Sequence, residues 1–244
     1  MRSSTPSGRI VLLLLSLVSC ATAGTAAAVP VDLSTPSGLN PGDTFRFLFV
    51  TQGTTTATSS AIADYDTFVN GQAGGATYGG TTVTWKAIGS TGSVNARDHV
   101  GGFGSSVPIY LPNGTKLAND MTTGAGGLWS GSLLAAPLGY IDGTAADMFP
   151  LLFTGSESDG LAATMYYLGA NAAKGGVPFV SNGLWLSAAG TYGNTSPLRM
   201  YGLSDTLSVA AAVPEIDPAG TSSVLALVGG VLAWAESRRR RSIS

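Results

Sequence analysis

The sequence predicts a single, loop-rich α+β domain. Short aromatic and β-branched runs recur along the chain and are typical of β-strands. One stretch, from Ala61 to Asn70, instead carries apolar residues at helical spacing. Glycine-rich segments separate these runs, and the 34 glycines among 244 residues supply many turns. Short elements joined by glycine-containing loops favour a sheet-based domain with little helix.

The domain is expected to span residues 43–212, after a proline- and serine-containing lead-in at residues 29–42. Residues 29–212 contain six basic and eleven acidic side chains, which gives a net charge of −5. Such a surface is a poor partner for nucleic acid or an anionic membrane. The same segment has no cysteine, so packing alone must hold the fold.

The first strand signal is Thr44 to Thr51, which is predicted to be a central or near-central strand with Phe45, Phe47 and Phe49 on one face. A short helix should follow, with Ser60 as its N-cap. Its apolar face consists of Ile62, Tyr65, Phe68 and Val69. The glycine-rich stretch at 71–80 closes this helix, and 83–88 is the second strand.

Later elements are shorter. Asn113-Gly114 predicts a hairpin turn between 109–111 and 115–117, and both N-x-[ST] sequons, at Asn113 and Asn194, are interpreted as turns. Further strands are predicted at 151–153, 165–168, 184–186 and 199–203.

Five stretches carry a resemblance to a known module. They are Trp85–Ser90, Val94–Asp98, Val107–Tyr110, Leu128–Ser132 and Phe153–Gly160. In outline, from about Asp43 to Leu207, the chain resembles the endostatin-like module of collagen C-terminal regions, a variant of the C-type-lectin-like fold. The resemblance implies that fold. The module's disulfides, zinc site and basic heparin-binding face are not expected here, because the domain has no cysteine, one histidine and an acidic balance.

Several conspicuous side chains fit structural roles best. Large rings bury much area, so Trp85, Trp129 and Trp185 are expected in the core rather than on a sugar-stacking platform. The neighbours Arg97 and Asp98 suggest an ion pair at a helix start. The single histidine, His99, has no sequence partner for zinc and is expected to be half-buried or on the surface.

Two pairs of carboxylates could supply oxygen ligands to Ca²⁺: Asp142 with Asp147, and Glu157 with Asp159. Neither pair lies in an EF-hand or calcium-lectin motif, so turn-forming acids are the favoured interpretation. Two such acids could also serve a glycosidase. Because the nucleophile-elbow, P-loop and H-E-x-x-H patterns are absent, we expect no enzyme and no cofactor.

Residues 1–28 predict a secretory signal peptide that engages the secretion machinery and signal peptidase. Arg2 and Arg9 give a positive start, and Ile10–Val18 is apolar but too short to span a membrane. Small residues at 21–23 and at 26–28 both suit cleavage. A lipobox-like run ending at Cys20 leaves lipidation open.

Residues 213–244 combine three features in a fixed order. An acidic, proline-flanked stub at 213–218 should be extended, because proline disfavours helix. Residues 219–235 are uncharged and would span about 25 Å as a helix. The tail at 236–244 follows, with Arg238, Arg239, Arg240 and Arg241 as a cytoplasmic stop-transfer signal. The apolar anchor residues include Ala219, Val224, Leu225, Leu227, Val228, Val231, Leu232 and Trp234.

This order resembles the PEP-CTERM sorting signal of bacterial surface proteins, with Val213, Pro214 and Glu215 as the processing motif. Ile216 stands where the family has proline, so the cleavage point is open; the alternative is an ordinary tail anchor. The resemblance implies processing by an exosortase-like membrane enzyme, after an inner-membrane intermediate, in a Gram-negative-type bacterium.

The sequence thus predicts a non-enzymatic surface or extracellular-matrix protein with potential adhesive properties. A carbohydrate-binding module of the polysaccharide matrix is the alternative, and a polysaccharide hydrolase is the third.

Overall fold

The computed structural model describes residues 30–146 and 151–211, together with Trp234. In these residues the chain is a sheet-rich α+β structure with few helices, as predicted. The strands there are β1 (Asp32–Leu33), β2 (Thr44–Val50), β3 (Thr77–Tyr78), β4 (Thr81–Thr82), β5 (Trp85–Ala87), β6 (Ile109–Tyr110), β7 (Lys116–Ala118), β8 (Leu152–Phe153), β9 (Ala172–Gly176), β10 (Thr191–Gly193), β11 (Tyr201–Ser204) and β12 (Leu207–Ser208). The helices are α1 (Ile62–Gln72), α2 (Ala96–His99) and a 3-10 helix at Gly183–Trp185.

β2 lies at the centre of the largest sheet, which runs β5-β11-β2-β6-β7. It pairs antiparallel with β11 and parallel with β6. Its first residues also pair with β12, so the last described strand returns to the first long one. The predicted central position of this strand is confirmed.

β2 buries side chains on both faces of the sheet. Phe45, Phe47 and Phe49 share one hydrophobic cluster, as predicted, while Leu48 and Val50 belong to a second cluster. A strand that is buried on both faces has an almost continuous run of apolar residues. This explains why apolar and polar residues alternate only in part along β2. The core therefore consists of two layers that β2 separates.

The three tryptophans confirm their predicted core role. Trp85 packs with the phenylalanine cluster, and Trp129 and Trp185 lie in the second cluster, all of them almost fully buried. Trp85 meets the Phe49 ring edge-on at 4.8 Å, and Trp185 meets Tyr201 at 5.3 Å. Rings of this size contribute much of the apolar area that stabilises the domain.

α1 confirms the predicted helix and corrects its cap. Tyr65 and Val69 are its buried residues and face the phenylalanine cluster. Ser60 is not the cap. The N-cap position is Ala61, whose backbone N–H donates to the hydroxyl of Ser59 at 3.0 Å. Ser59 therefore satisfies the N–H of the cap residue itself, and no side chain at the cap position accepts from the first turn of the helix.

The predicted hairpin is confirmed between β6 and β7. Asn113 and Gly114 occupy its turn, closed by a 2.8 Å bond from the Leu111 N–H to the Thr115 carbonyl. Gly114 has φ +86°, a conformation that glycine adopts without steric cost. The second sequon, at Asn194, also lies in a turn.

Two strand predictions in the second half are wrong. The stretch 165–168 is a turn in which only Leu168 forms a single bridge, to Thr91. The stretch 184–186 forms most of the 3-10 helix, capped by the Asn182 side chain, which accepts from the Leu184 N–H. Three or four apolar residues carry no periodicity that separates a strand from a turn, so the sequence pattern could not decide either case.

The structure also contains strands that the pattern does not predict. β9 has the sequence AAKGG, without β-branched or aromatic residues, yet it joins β8 and β10 in one small sheet. A side chain at Gly176 would collide with the carbonyl of Trp185. Glycine thus permits a close backbone approach here, which outweighs its low strand propensity. In the lead-in, β1 pairs with β3, so these residues belong to the folded unit.

Candidate functional site

The loop Ser156–Gly160 carries two of the predicted ligand residues, Glu157 and Asp159. A 3.0 Å bond from the Gly160 N–H to the Glu157 carbonyl closes the turn. Ser156 anchors its start, since its hydroxyl lies 2.8 Å from that of Ser90 in the interior. The two carboxylates project from a loop that is fixed at both ends, because Gly160 sits directly on the Trp129 ring.

Glu157 is paired with a cation that the sequence did not point to. Its Oε2 accepts from Lys174 Nζ at 2.7 Å and from the Ser187 hydroxyl at 2.9 Å. The hydrogen bond from Lys174 lowers the pKa of Glu157, with a smaller contribution from Ser187, although burial acts in the opposite direction. Glu157 is therefore held as a carboxylate.

Asp159 faces a different cation, Arg97. Its Oδ1 accepts from the Leu161 N–H at 3.1 Å, while its Oδ2 lies 4.0 Å from Arg97 Nη1. The same guanidinium stacks over the exposed Phe103 ring at 4.7 Å. The predicted pair with Asp98 is present at 3.9 Å in the short helix α2.

Asp142 lies apart from this loop and shapes its own turn. Its Oδ1 accepts from the Thr144 N–H at 2.9 Å and from the Thr144 hydroxyl at 2.6 Å. These bonds lower the pKa of Asp142, the hydroxyl having the largest effect. Asp147, its predicted partner, lies outside the described residues. A turn-forming role fits Asp142, and calcium binding remains a prediction for all four acids.

No group of three or more metal-ligating His, Cys, Asp or Glu side chains occurs in the part of the chain that the structure describes. The His99 side chain is 13 % exposed, more buried than the predicted half-buried or surface position, and its Nε2 lies 2.9 Å from Asp66 Oδ1. Asp66 also accepts from the Ala87 N–H at 2.8 Å, and Lys86 Nζ donates to the His99 carbonyl. This network ties α1 and α2 to β5, which is a structural role.

A hydroxyl-lined groove of about 340 Å³ lies where the described chain ends. Its lining comes from the β3–β4 hairpin and from β12, and it includes Tyr78, Thr82, Leu207 and Ala210. The sorting residues Val213, Pro214 and Glu215 lie outside the described residues, as do the four tail arginines. Ala210, which lines the groove, lies three residues before Val213 in the sequence.

The predicted membrane anchor is almost entirely outside the described residues. Trp234 is the exception, with helical backbone and an exposed side chain. Within 30–146, 151–211 and Trp234, no helix has the length and apolar character needed to cross a bilayer. The span at 219–235 therefore stays a prediction from sequence.

Sequence reasoning found Glu157, Asp159 and Arg97 but missed Lys174, Ser187 and the exposed Phe103 ring that contacts Arg97. The only sequence signal for Lys174 is that basic residues are rare in 29–212, where it is one of six. A scan against protein-family models and a search of curated proteins both find no match for this chain.

Proposed function

We propose that this chain is an exported surface or extracellular-matrix protein that an exosortase-like enzyme processes at its C-terminus. The observation that carries the proposal is the order of features in residues 213–244: a proline-flanked acidic stub, an uncharged stretch of membrane-spanning length and four arginines. The apolar N-terminus at 1–28 supplies the matching export signal. The folded domain between these two signals is the part of the protein that is exported and released.

The domain's own geometry is compatible with cleavage at 213–215. β12, the last described strand, pairs with β2 and ends at Ser208. A 2.9 Å bond from the Val209 N–H to the Asp43 carbonyl fastens the chain one residue later, and Ala211 is exposed. A cut beyond Ala211 would remove no described strand, so the released domain should keep its fold.

Replacing Glu215 with glutamine tests the processing motif. We expect the variant to accumulate in the inner membrane with its C-terminal segment attached, because the enzyme would lose the acidic group that marks the motif. Cell fractionation and the intact mass of the accumulated protein are the measurements. Asp217→Asn is the matched control, since it also removes one acid from the stub but leaves the motif unchanged. Normal processing of Glu215→Gln would contradict the motif assignment.

Changing all four arginines, Arg238 to Arg241, to glutamine tests the stop-transfer signal separately. The positive-inside rule predicts that the variant loses its fixed orientation, so that its C-terminus becomes accessible from the periplasmic side. Protease protection of a C-terminal tag in spheroplasts measures this. A tag that stays fully protected would contradict the role of the arginines.

Binding of carbohydrate is a second candidate function, favoured by the exposed Phe103 ring, which stacks with the Arg97 guanidinium beside the loop Ser156–Gly160. Hydrolysis has less support. A glycosidase needs one carboxylic acid whose pKa is raised so that it can donate a proton. Lys174 instead lowers the pKa of Glu157 and keeps it ionised.

A further inference from the structure

We propose that the groove between the β3–β4 hairpin and β12 is the surface against which the exosortase-like enzyme sits when it cuts at Val213–Glu215. The proposal rests on the proposed function, because the enzyme and its motif come from the order of features at the C-terminus. It goes further by assigning a contact surface on the folded domain. The motif alone gives this domain no part in processing.

The chain runs along the wall of this groove as it leaves the folded domain, since Thr206 and Ala210 both line it. The Val209 N–H donates to the Asp43 carbonyl at 2.9 Å, which ties the chain to the fold four residues before Val213. Extended backbone spans at most about 3.6 Å per residue, so four residues reach about 14 Å. An enzyme that cuts the motif must therefore work within about 14 Å of Val209.

The predicted membrane span also starts close to the groove. Ala219 is ten residues after Val209, and ten extended residues reach at most about 36 Å. A folded domain of about 180 residues is roughly 40 Å across, so the tether is no longer than the domain itself. A membrane-embedded enzyme has to reach residues 213–215 between the domain and the bilayer. It therefore meets the domain on the side where the chain leaves, which is the side of the groove.

The walls of the groove are fixed before the enzyme arrives. The Asp205 N–H donates to the Thr84 carbonyl at 2.9 Å and joins the two walls at one end. Beyond this bond β12 pairs with β2, whereas β4 pairs with β3, so the walls belong to different sheets and diverge. On the hairpin, the Tyr78 ring packs edge-on against Phe45 at 5.3 Å. A preorganised surface loses less conformational entropy when a partner binds.

The chemistry of the groove suits contact with a protein. The described residues that line it are uncharged, and they combine the hydroxyls of Thr82 and Ser208 with the apolar side chain of Leu207. The central parts of protein interfaces are depleted in charged residues. A charged side chain placed here would lose its hydration when the enzyme approaches, which is unfavourable for either sign of charge. Charges at Thr82 and Ser208, both of which are exposed, should therefore interfere with processing.

A pulse–chase measurement of precursor processing in the producing cells tests the proposal. Thr82→Arg and Ser208→Arg should each slow processing about fivefold, and so should Thr82→Glu and Ser208→Glu. Thr123→Arg is the matched control, since Thr123 is exposed and follows β7, which β2 and β6 separate from β12. It should be processed as fast as the unmodified chain. Thermal unfolding of each purified chain shows that the fold is intact.

A longer tether separates contact at the groove from general effects on export. About twelve glycine and serine residues inserted between Ala211 and Ala212 add about 20 Å of average reach. In this background the enzyme no longer has to sit against the groove. Thr82→Arg and Ser208→Arg should then be processed as fast as the otherwise unmodified long-tether chain.

Processing of Thr82→Arg and Ser208→Arg at the unmodified rate would overturn the proposal. Equal slowing in Thr123→Arg would do the same, as would slowing that persists with the long tether. Glu215→Gln in the same assay reports on the motif. If Glu215→Gln blocks processing while the groove variants do not slow it, the proposed function holds and the contact surface is wrong.

Discussion

Replacing Arg46 with methionine should lower the free energy of unfolding by about 2–4 kcal/mol. Arg46 lies in the central strand β2 and is only 6 % exposed. Its Nη1 donates to the carbonyls of Val100 and Gly101, each at 3.1 Å, and its Nε donates to the Thr206 hydroxyl at 3.1 Å. Methionine fills a similar volume but leaves these acceptors without a donor.

Burial lowers the pKa of Arg46, and the nearby Asp205 opposes this shift. The guanidinium therefore already bears a desolvation cost, which its hydrogen bonds to the loop after α2 offset. Urea denaturation of each variant measures the change in the free energy of unfolding. Lys116→Met, at an exposed position of β7, is the control and should change stability by less than about 0.5 kcal/mol. A loss below about 1 kcal/mol in Arg46→Met would contradict the assigned role.

Replacing Trp185 with alanine should cost about 3–5 kcal/mol, because it opens a large cavity in the second cluster. Trp185 is fully buried, and its ring contacts Tyr201 edge-on. Tyr201 in turn donates its hydroxyl to the Trp185 carbonyl at 3.0 Å. The cavity would therefore also loosen β11, which lies between β5 and β2.

Trp185→Phe should cost much less, below about 2 kcal/mol, because it keeps a ring and sacrifices no hydrogen bond. The Trp185 indole N–H has no hydrogen-bond partner among the described residues. Leu184→Ala is the matched control at the preceding position, where the side chain is exposed. Urea midpoints measure all three variants. If the alanine and phenylalanine variants at 185 lost equal stability, the cavity explanation would be wrong.

The parts of the fold that sequence predicted are those with a local cause. β2 has a long aromatic and β-branched run, α1 has helical spacing, and Asn113-Gly114 is a strong hairpin signal. The parts that it missed depend on distant contacts. β9 exists because Gly175 and Gly176 admit neighbouring backbone. Residues 165–168 form a turn in which Met165 has φ +65° and the Tyr166 carbonyl accepts from the Lys174 N–H.

The candidate site shows the same division. Glu157 and Asp159 stood out because acids in a glycine- and serine-containing loop are visible in a sequence. Their partners lie far away along the chain: Lys174 is 17 residues from Glu157, and Arg97 is 62 residues from Asp159. Pairing of this kind comes from the topology that joins α2, the loop and β9. The endostatin-like and lectin-like resemblance remains a proposal at the level of fold.

The intact mass of the protein released by the producing cells tests the central claim most directly, because one number fixes both ends of the chain. Export and C-terminal processing predict a mass that lacks an N-terminal segment within 1–28 and everything beyond a cut near Val213–Glu215. A lipid on Cys20 would appear as an added mass on a chain that starts there. A mature mass that retains Arg238 to Arg241 would contradict the account.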